Sequence, residues 1–75
     1  MDYEYEERFR RLGLKVAFYR KLKGLTQAEL AEAMQTNVSF IGAIEAVNMY
    51  KPISLKTVFK LADILEVQPA KLLED

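Results

Sequence analysis

The fold is decided by residues 26–46, which read TQAELAEAMQTNVSFIGAIEA. Thr26 with a glutamate three residues later is a capping box, in which the hydroxyl and the carboxylate each satisfy a free amide at a helix start. This box predicts a helix over residues 27–34. Asn37 is a good N-cap for a second helix over residues 38–46, so the stretch indicates two short helices joined by a tight turn.

The inner faces of these two predicted helices have the residue sizes that a close crossing requires. Ala31 is small where the helices cross, which permits their close approach. Larger apolar side chains are expected to fill the wedge between the two helices and the rest of the core: Leu30, Met34, Ile41 and Ile44. One such residue would mean little, but the set at this spacing indicates a packed pair of helices.

Three further helices are predicted around this pair, over residues 5–22, 54–65 and 69–74. Apolar residues at spacings of three and four give the first of them one buried stripe. Gly24 suits the left-handed residue that ends it, Ser54 is a good N-cap for the next, and Pro69 fits the first turn of the last. The sequence therefore predicts an all-α fold of five helices, with residues 1–75 forming one domain.

Composition excludes several classes of function. The chain contains no Cys and no His, which removes disulfides, thiolate nucleophiles and the usual zinc ligands. We therefore predict that the protein is not an enzyme, with no catalytic residue, metal site, cofactor or small-molecule substrate. The absence of a long apolar run argues against a membrane-spanning helix or a signal peptide, so a cytoplasmic location is expected.

The net charge of zero conceals a segregation of charge along the chain. Residues 1–7 are acidic without a base, residues 8–23 hold seven Lys or Arg without an acid, and residues 24–50 hold three Glu without a base. The local fields, rather than the total charge, decide how the surface meets a polyanion.

Four segments together are similar to the Cro and lambda-repressor family of helix-turn-helix proteins, also called the xenobiotic-response-element (XRE) family. They are LGLKVAFYRKLKGLTQAELAEAM (12–34), FIGAIE (40–45), ISLKTVFKLADILEV (53–67) and AKLL (70–73). The resemblance covers nearly the whole chain. Within the family, the chain length and the ISLKT stretch look most like short stand-alone regulators, such as restriction-modification controller proteins and small phage repressors.

This resemblance implies a five-helix, lambda-repressor-like DNA-binding domain with its helix-turn-helix at the second and third helices. It implies a transcriptional regulator that binds double-stranded DNA as a homodimer and places the third helix in the major groove. The base-facing candidates are then Asn37, Val38, Ser39, Gly42 and Ala43, with Ala46 near the far end.

The resemblance also implies roles for residues around the third helix. Gln27, at the start of the second helix, is expected to meet a phosphate with its side-chain amide and the free backbone amides. Arg20 and Glu45 are expected to form an ion pair that orients the third helix rather than touching DNA. Apart from the resemblance, Lys51 in the following loop and Lys56 beyond it are candidate phosphate contacts, with Lys15 and Lys23 of the first helix as further ones; each of the four could equally be solvated surface.

The third helix departs from the family in having no Arg, Lys or Gln, the residues that read guanine or adenine most strongly. Asn37 and Ser39 remain as polar readers, while Val38 and Ala43 suit thymine methyl groups, which predicts a modest preference for A·T pairs. The alternative is a protein-interaction module on the same fold, in which this small, apolar outer face packs on a protein.

Two residues occupy positions where family members usually have glycine or asparagine. They are Gln35, in the turn of the helix-turn-helix, and Glu66, after the fourth helix. A left-handed backbone at either would cost about 1 kcal/mol, so another arrangement of the turn is left open.

Two surfaces have more than one interpretation. The acidic segment DYEYEERF (2–9) either extends the first helix, because carboxylates favour a helix start, or forms a frayed and solvated end. The apolar residues late in the chain exceed what one small core is expected to hide, and an exposed share would suit a two-fold dimer: Phe59, Ile64, Val67, Leu72 and Leu73.

Overall fold

Five helices form where the caps and the apolar periodicity place them. In the computed structural model, which describes residues 3–74, they are α1 (Tyr3–Leu22), α2 (Gln27–Ala33), α3 (Val38–Glu45), α4 (Leu55–Leu65) and α5 (Pro69–Leu73). No strand occurs within this described part of the chain. The predicted all-α, five-helix fold is therefore confirmed, and each helix boundary lies within two residues of its predicted position.

Helix α1 begins earlier than predicted, at Tyr3, and Glu4 and Glu6 lie in its first turn. Carboxylates there interact favourably with the positive end of the helix dipole, so the acidic segment extends the helix. Asp2, the first residue of that segment, lies outside the described residues. Because residues 1, 2 and 75 are not described, the extent of the domain over the whole chain stays a prediction.

Three side-chain caps start the helices of the central region. The Thr26 hydroxyl accepts from the Glu29 amide at 3.0 Å, and the Glu29 carboxylate accepts from the Thr26 amide at 2.8 Å, which confirms the capping box. Asn37 Oδ1 accepts from the Phe40 amide at 2.8 Å. The Ser54 hydroxyl accepts from an amide in the first turn of α4 at 3.1 Å. Each cap satisfies a donor that the helix itself leaves free.

Helices α1, α2 and α4 end in the same way. Gly24, Gln35 and Glu66 have φ values of 82°, 59° and 60°, in the left-handed region. In each case the amide of the next residue bonds to a carbonyl five positions back, at 2.9 to 3.0 Å. This is the Schellman arrangement, which satisfies carbonyls that the last turn leaves free. Gln35 and Glu66 thus adopt the strained conformation rather than an alternative turn.

The core lies where α1 packs across α3, α4 and α5. It contains the five residues predicted to form the helix-turn-helix wedge, together with residues from α1, α4 and α5: Leu12, Val16, Leu30, Ala31, Met34, Ile41, Ile44, Val58, Leu61, Ala62, Leu65 and Leu72. Gly13 brings α1 and α3 together, because a Cβ there would lie 1.8 Å from the Ile44 carbonyl oxygen. Any side chain at Gly13 would force the two helices apart.

Part of the apolar surface predicted late in the chain is exposed and part is buried. Leu72 is buried in the core, because α5 packs against both α1 and α4. Ile64 and Val67 are half-buried against the same core. Phe59 and Leu73 are the two members of the predicted patch that remain exposed, at 47% and 55%.

Within residues 3–74, no helix combines the length and the apolar character that crossing a bilayer requires.

Candidate nucleic-acid interface

A buried ion pair ties α1 to α3. Arg20 and Glu45 are each 8% exposed. Arg20 Nε donates to Glu45 Oε2 at 2.8 Å, and Arg20 Nη2 donates to Glu45 Oε1 at 3.0 Å. Arg20 Nη1 also donates to the Leu25 carbonyl at 2.7 Å. This bidentate geometry confirms the predicted pair and satisfies both groups away from water.

The ion pair extends to the start of α2. Gln27 Nε2 donates to Glu45 Oε1 at 3.0 Å, so one carboxylate joins side chains from three helices. The hydrogen bonds to Glu45 raise the pKa of Arg20, although burial opposes this change. Because both charges are desolvated together, the group fixes α3 relative to α1 and α2 rather than serving as a surface charge.

The outer face of α3 carries small or uncharged side chains. Asn37, Val38 and Ser39 are exposed, and Gly42 and Ala43 are half-buried. The Asn37 oxygen is used as the helix cap, which leaves its amide nitrogen to donate. These five predicted base-facing residues form one surface at the amino-terminal and middle turns of α3.

Gln27 lies beside this surface but is already engaged. Its Oε1 atom is the nearest atom to an ideal Cβ at Gly42, at 4.0 Å, while its Nε2 atom bonds to Glu45. The amide that was predicted to meet a phosphate therefore helps to position α3, with its second N–H hydrogen left for another acceptor.

Lys51 follows α3 in the chain and is held against it. Its ammonium nitrogen lies 5.6 Å from the centre of the Phe40 ring, a cation–π distance. One shallow depression between the first half of α1 and the loop after α3 is lined by Lys51, Arg10 and Tyr50, and also by the acidic residue Glu6. Sequence reasoning missed Arg10, because residues so far apart along the chain share no local periodicity.

Two of the other predicted phosphate contacts are less suited to that role. Lys23 pairs with Glu66, and this hydrogen bond and charge lower the pKa of the Glu66 carboxyl. Lys15 lies on the side of α1 away from Gly13 and Arg20, which face α3. Lys56, near the start of α4, is exposed.

The negative charge predicted for residues 24–50 is partly neutralised by the fold. Arg20 compensates Glu45 within the core. Glu29 and Glu32 lie on the face of α2 opposite its buried residues, and Glu29 also accepts the Thr26 amide. The field at the outer face of α3 is therefore less repulsive to a polyanion than the sequence predicts.

The class of helix-turn-helix proteins is defined by two short helices joined by a tight turn. Here α2 and α3 are joined through the left-handed residue Gln35, and Glu45 on the inner side of α3 bonds to α1 and α2. A family model described as Helix-turn-helix matches residues 16–72. The chain belongs to this XRE-type helix-turn-helix family, as the resemblance implied.

Solved structures agree with this assignment. The restriction-modification controller protein C.AhdI from Aeromonas hydrophila is 30% identical, over 85% of this chain and 94% of that one, with a TM-score of 0.76. The N-terminal DNA-binding domain of SinR from Bacillus subtilis is 30% identical, over 88% and 94%, with a TM-score of 0.77.

A structure of SinR, the master regulator for biofilm formation, in complex with DNA is also similar. It is 32% identical over 84% of this chain and 98% of that one, with a TM-score of 0.74. No curated protein sequence matches this chain significantly. C.AhdI is a controller protein and SinR is a regulator.

Proposed function

We propose that this protein is a sequence-specific DNA-binding transcriptional regulator that occupies an operator as a homodimer and carries out no chemistry. One observation carries the proposal: the exposed outer face of α3 is fixed from behind by the Arg20–Glu45–Gln27 group. A rigid reading element keeps its geometry before it meets the duplex, so little ordering cost is added on binding. The similarity to SinR, a protein solved in complex with DNA, supports the same function.

The side chains on α3 favour a particular kind of base readout. Asn37 and Ser39 supply the hydrogen-bonding groups, and Val38 and Ala43 supply methyl contacts for thymine. Because Gly42 has no side chain, the backbone of α3 can come close to the floor of the major groove. This combination gives a preference for A·T pairs with few strong hydrogen bonds.

Phosphate anchoring comes from residues around the motif. Lys51, held over the Phe40 ring, brings positive charge close to α3. Arg10 lines the same depression, where Glu7 already pairs with its guanidinium. Gln27 adds a neutral donor. Phosphate contacts provide most nonspecific affinity and its steep salt dependence. These residues therefore provide the affinity for any duplex, and α3 adds the selectivity for sequence.

The homodimer uses the exposed apolar residues of α4 and α5 that the core leaves uncovered. Leu55, Phe59 and Leu73 are 58%, 47% and 55% exposed. Because α3 provides few strong base contacts, a second copy would double the contacts and fix the distance between half-sites.

The protein-interaction module remains the second candidate, favoured by the lack of any basic residue on α3 and by the 48% exposure of Val38. A fluorescence titration of a random-sequence duplex at about 50 mM salt separates the two, because even weak readers bind DNA nonspecifically at low salt. We expect binding that weakens steeply with salt, and we expect Lys51→Ala to weaken it and flatten that dependence.

Lys60→Ala is the matched control, since Lys60 is an exposed cation on α4. This variant is expected to bind like the wild type. Absence of any duplex binding at low salt by the wild-type chain would reject the regulator and favour the interaction module.

A further inference from the structure

A row of apolar side chains runs along α1 on the face opposite the core. Leu14, Phe18 and Leu22 are 44%, 58% and 71% exposed and follow one another at intervals of four residues. Each lies two positions after a core-facing residue of the same helix, about 200° around the helix axis. We call these three residues the α1 stripe. Neither the core nor the predicted DNA contacts on α3 use them.

The stripe is partly preorganised. The Phe18 ring meets the Tyr19 ring edge to face, with 5.0 Å between their centres and an 82° angle between their planes. Tyr19 in turn packs against the core. Phe18 is thereby supported in an exposed position, as a side chain that anchors a partner would be.

Positive charge borders the stripe on both sides. Arg11 and Lys15 lie along one edge and Lys21 lies along the other, while Arg10 continues the row itself one turn before Leu14. Arg10 and Arg11 pair with Glu7 one turn earlier, whereas Lys15 and Lys21 form no ion pair within residues 3–74. Between residues 8 and 23 the chain holds no acidic residue.

A second copy of this chain is a poor fit to the stripe. In an antiparallel pairing that sets Leu14 against Phe18 of a second copy, the same register sets Arg11 against Lys21. Like charges would then meet on both edges of the only apolar contact. The charges that complement this face are carboxylates.

We propose that the α1 stripe docks an acidic amphipathic helix of a partner protein, with apolar side chains on the stripe and carboxylates against Lys15 and Lys21. This arrangement has the apolar centre and polar rim of a protein interface, with charge complementarity selecting the partner. The stripe lies on the opposite side of α1 from Gly13 and Arg20, which face α3. The partner helix therefore binds without covering the outer face of α3, and the proposal does not depend on DNA binding.

The test uses the full chain and a fluorescein-labelled helical peptide with Leu at intervals of four residues and Glu on both flanks. Fluorescence anisotropy should show salt-sensitive binding to the wild-type chain. Phe18→Ser should weaken it at least about tenfold, as loss of a central aromatic anchor does. The double variant Lys15→Glu, Lys21→Glu should weaken it as well and should accept the same peptide with Lys in place of Glu.

Phe59→Ser is the matched control, because it removes an exposed aromatic side chain from α4. It should leave peptide binding unchanged. Phe18→Ser should leave duplex binding unchanged and lower the thermal midpoint by only a few degrees, through loss of the edge-to-face contact with Tyr19. The proposal is overturned if the wild type does not bind the acidic peptide or if Phe18→Ser binds it equally well. It is also overturned if Phe18→Ser halves the sedimenting mass, which would identify a second copy as the occupant, or abolishes binding to phosphatidylglycerol vesicles, which would identify a membrane surface.

Discussion

Gln35 and Glu66 show how single residues in this chain accept local strain. Both are non-glycine residues in the left-handed region, and both close a Schellman arrangement that satisfies the carbonyls at a helix end. The Cβ atom makes that backbone conformation unfavourable by about 1 kcal/mol or slightly more. The gain in hydrogen bonding at the helix ends is therefore larger than the strain.

Replacing Gln35 with Gly should raise the free energy of unfolding. The Cβ strain at φ 59° disappears, while the greater freedom of Gly in the unfolded chain offsets part of the gain, which leaves about 0.5–1 kcal/mol. Urea unfolding followed by circular dichroism measures the change. Gly24→Ala is the reverse control: a Cβ there meets nothing within 4 Å, so the expected loss of stability reflects backbone strain alone. Equal stabilities for Gln35→Gly and the wild type would show that the turn is not strained.

Arg20 and Glu45 depend on each other. Glu45→Ala leaves a buried guanidinium without its carboxylate, which should lower the free energy of unfolding by about 3–5 kcal/mol. In a chain of this size that loss is a large part of the total. The double variant Arg20→Met, Glu45→Met removes both charges and should recover most of the loss. If Glu45→Ala and the double variant unfold at the same urea concentration, the pair has no coupled role in the fold.

At the level of the helices, α3 contains Gly42, a weak helix former, on the face that is proposed to approach DNA closely. An alanine Cβ at position 42 would lie 4.0 Å from Gln27 Oε1, an ordinary contact. Gly42→Ala should therefore raise the free energy of unfolding by about 0.5–1 kcal/mol, because Ala is the better helix former. The same methyl group should hold α3 away from the groove and lower duplex affinity. Increased stability with unchanged affinity would show that close approach at Gly42 is not part of binding.

Local signals predicted the helices well because each signal acts within a few residues. Each helix signal bonds to a neighbour in the chain, so its spacing is visible in the sequence. These signals are the capping box at Thr26, the caps at Asn37 and Ser54, and Gly24. The Arg20–Glu45 pair came from the family resemblance rather than from any local pattern. The sequence left open whether Gln35 and Glu66 adopt the left-handed backbone at the helix ends. Residue type alone does not show whether the hydrogen bonds gained there outweigh the backbone strain.

Tertiary proximity accounts for what the sequence did not predict. The joining of Gln27 to Glu45 and the position of Arg10 beside Lys51 depend on how α1, α2 and α3 pack together. Burial of Leu72 follows from the docking of α5 on two other helices. The outer face of α3 was predicted as a set, but its contacts with bases stay a prediction.

The whole molecule combines an inner framework with three outer surfaces, each with a separate proposed role. The framework of core residues and the Arg20–Glu45–Gln27 group fixes α3, whose outer face is proposed to read DNA. The α1 stripe lies on the side of α1 away from α3, and the exposed residues of α4 and α5 are proposed to contact a second copy. In the proposed arrangement, DNA and the partner helix bind on opposite sides of α1.

The central claim is that α3, presented twice by a dimer, reads a specific sequence. Selection of bound duplexes from a random pool tests it most directly, carried out with the wild type and with the double variant Asn37→Ala, Ser39→Ala. The account predicts that the wild type enriches two A·T-rich half-sites about one helical turn apart, roughly 10 base pairs, and that the double variant loses this enrichment. A pool without any enriched sequence, or the same enrichment from both proteins, would contradict it.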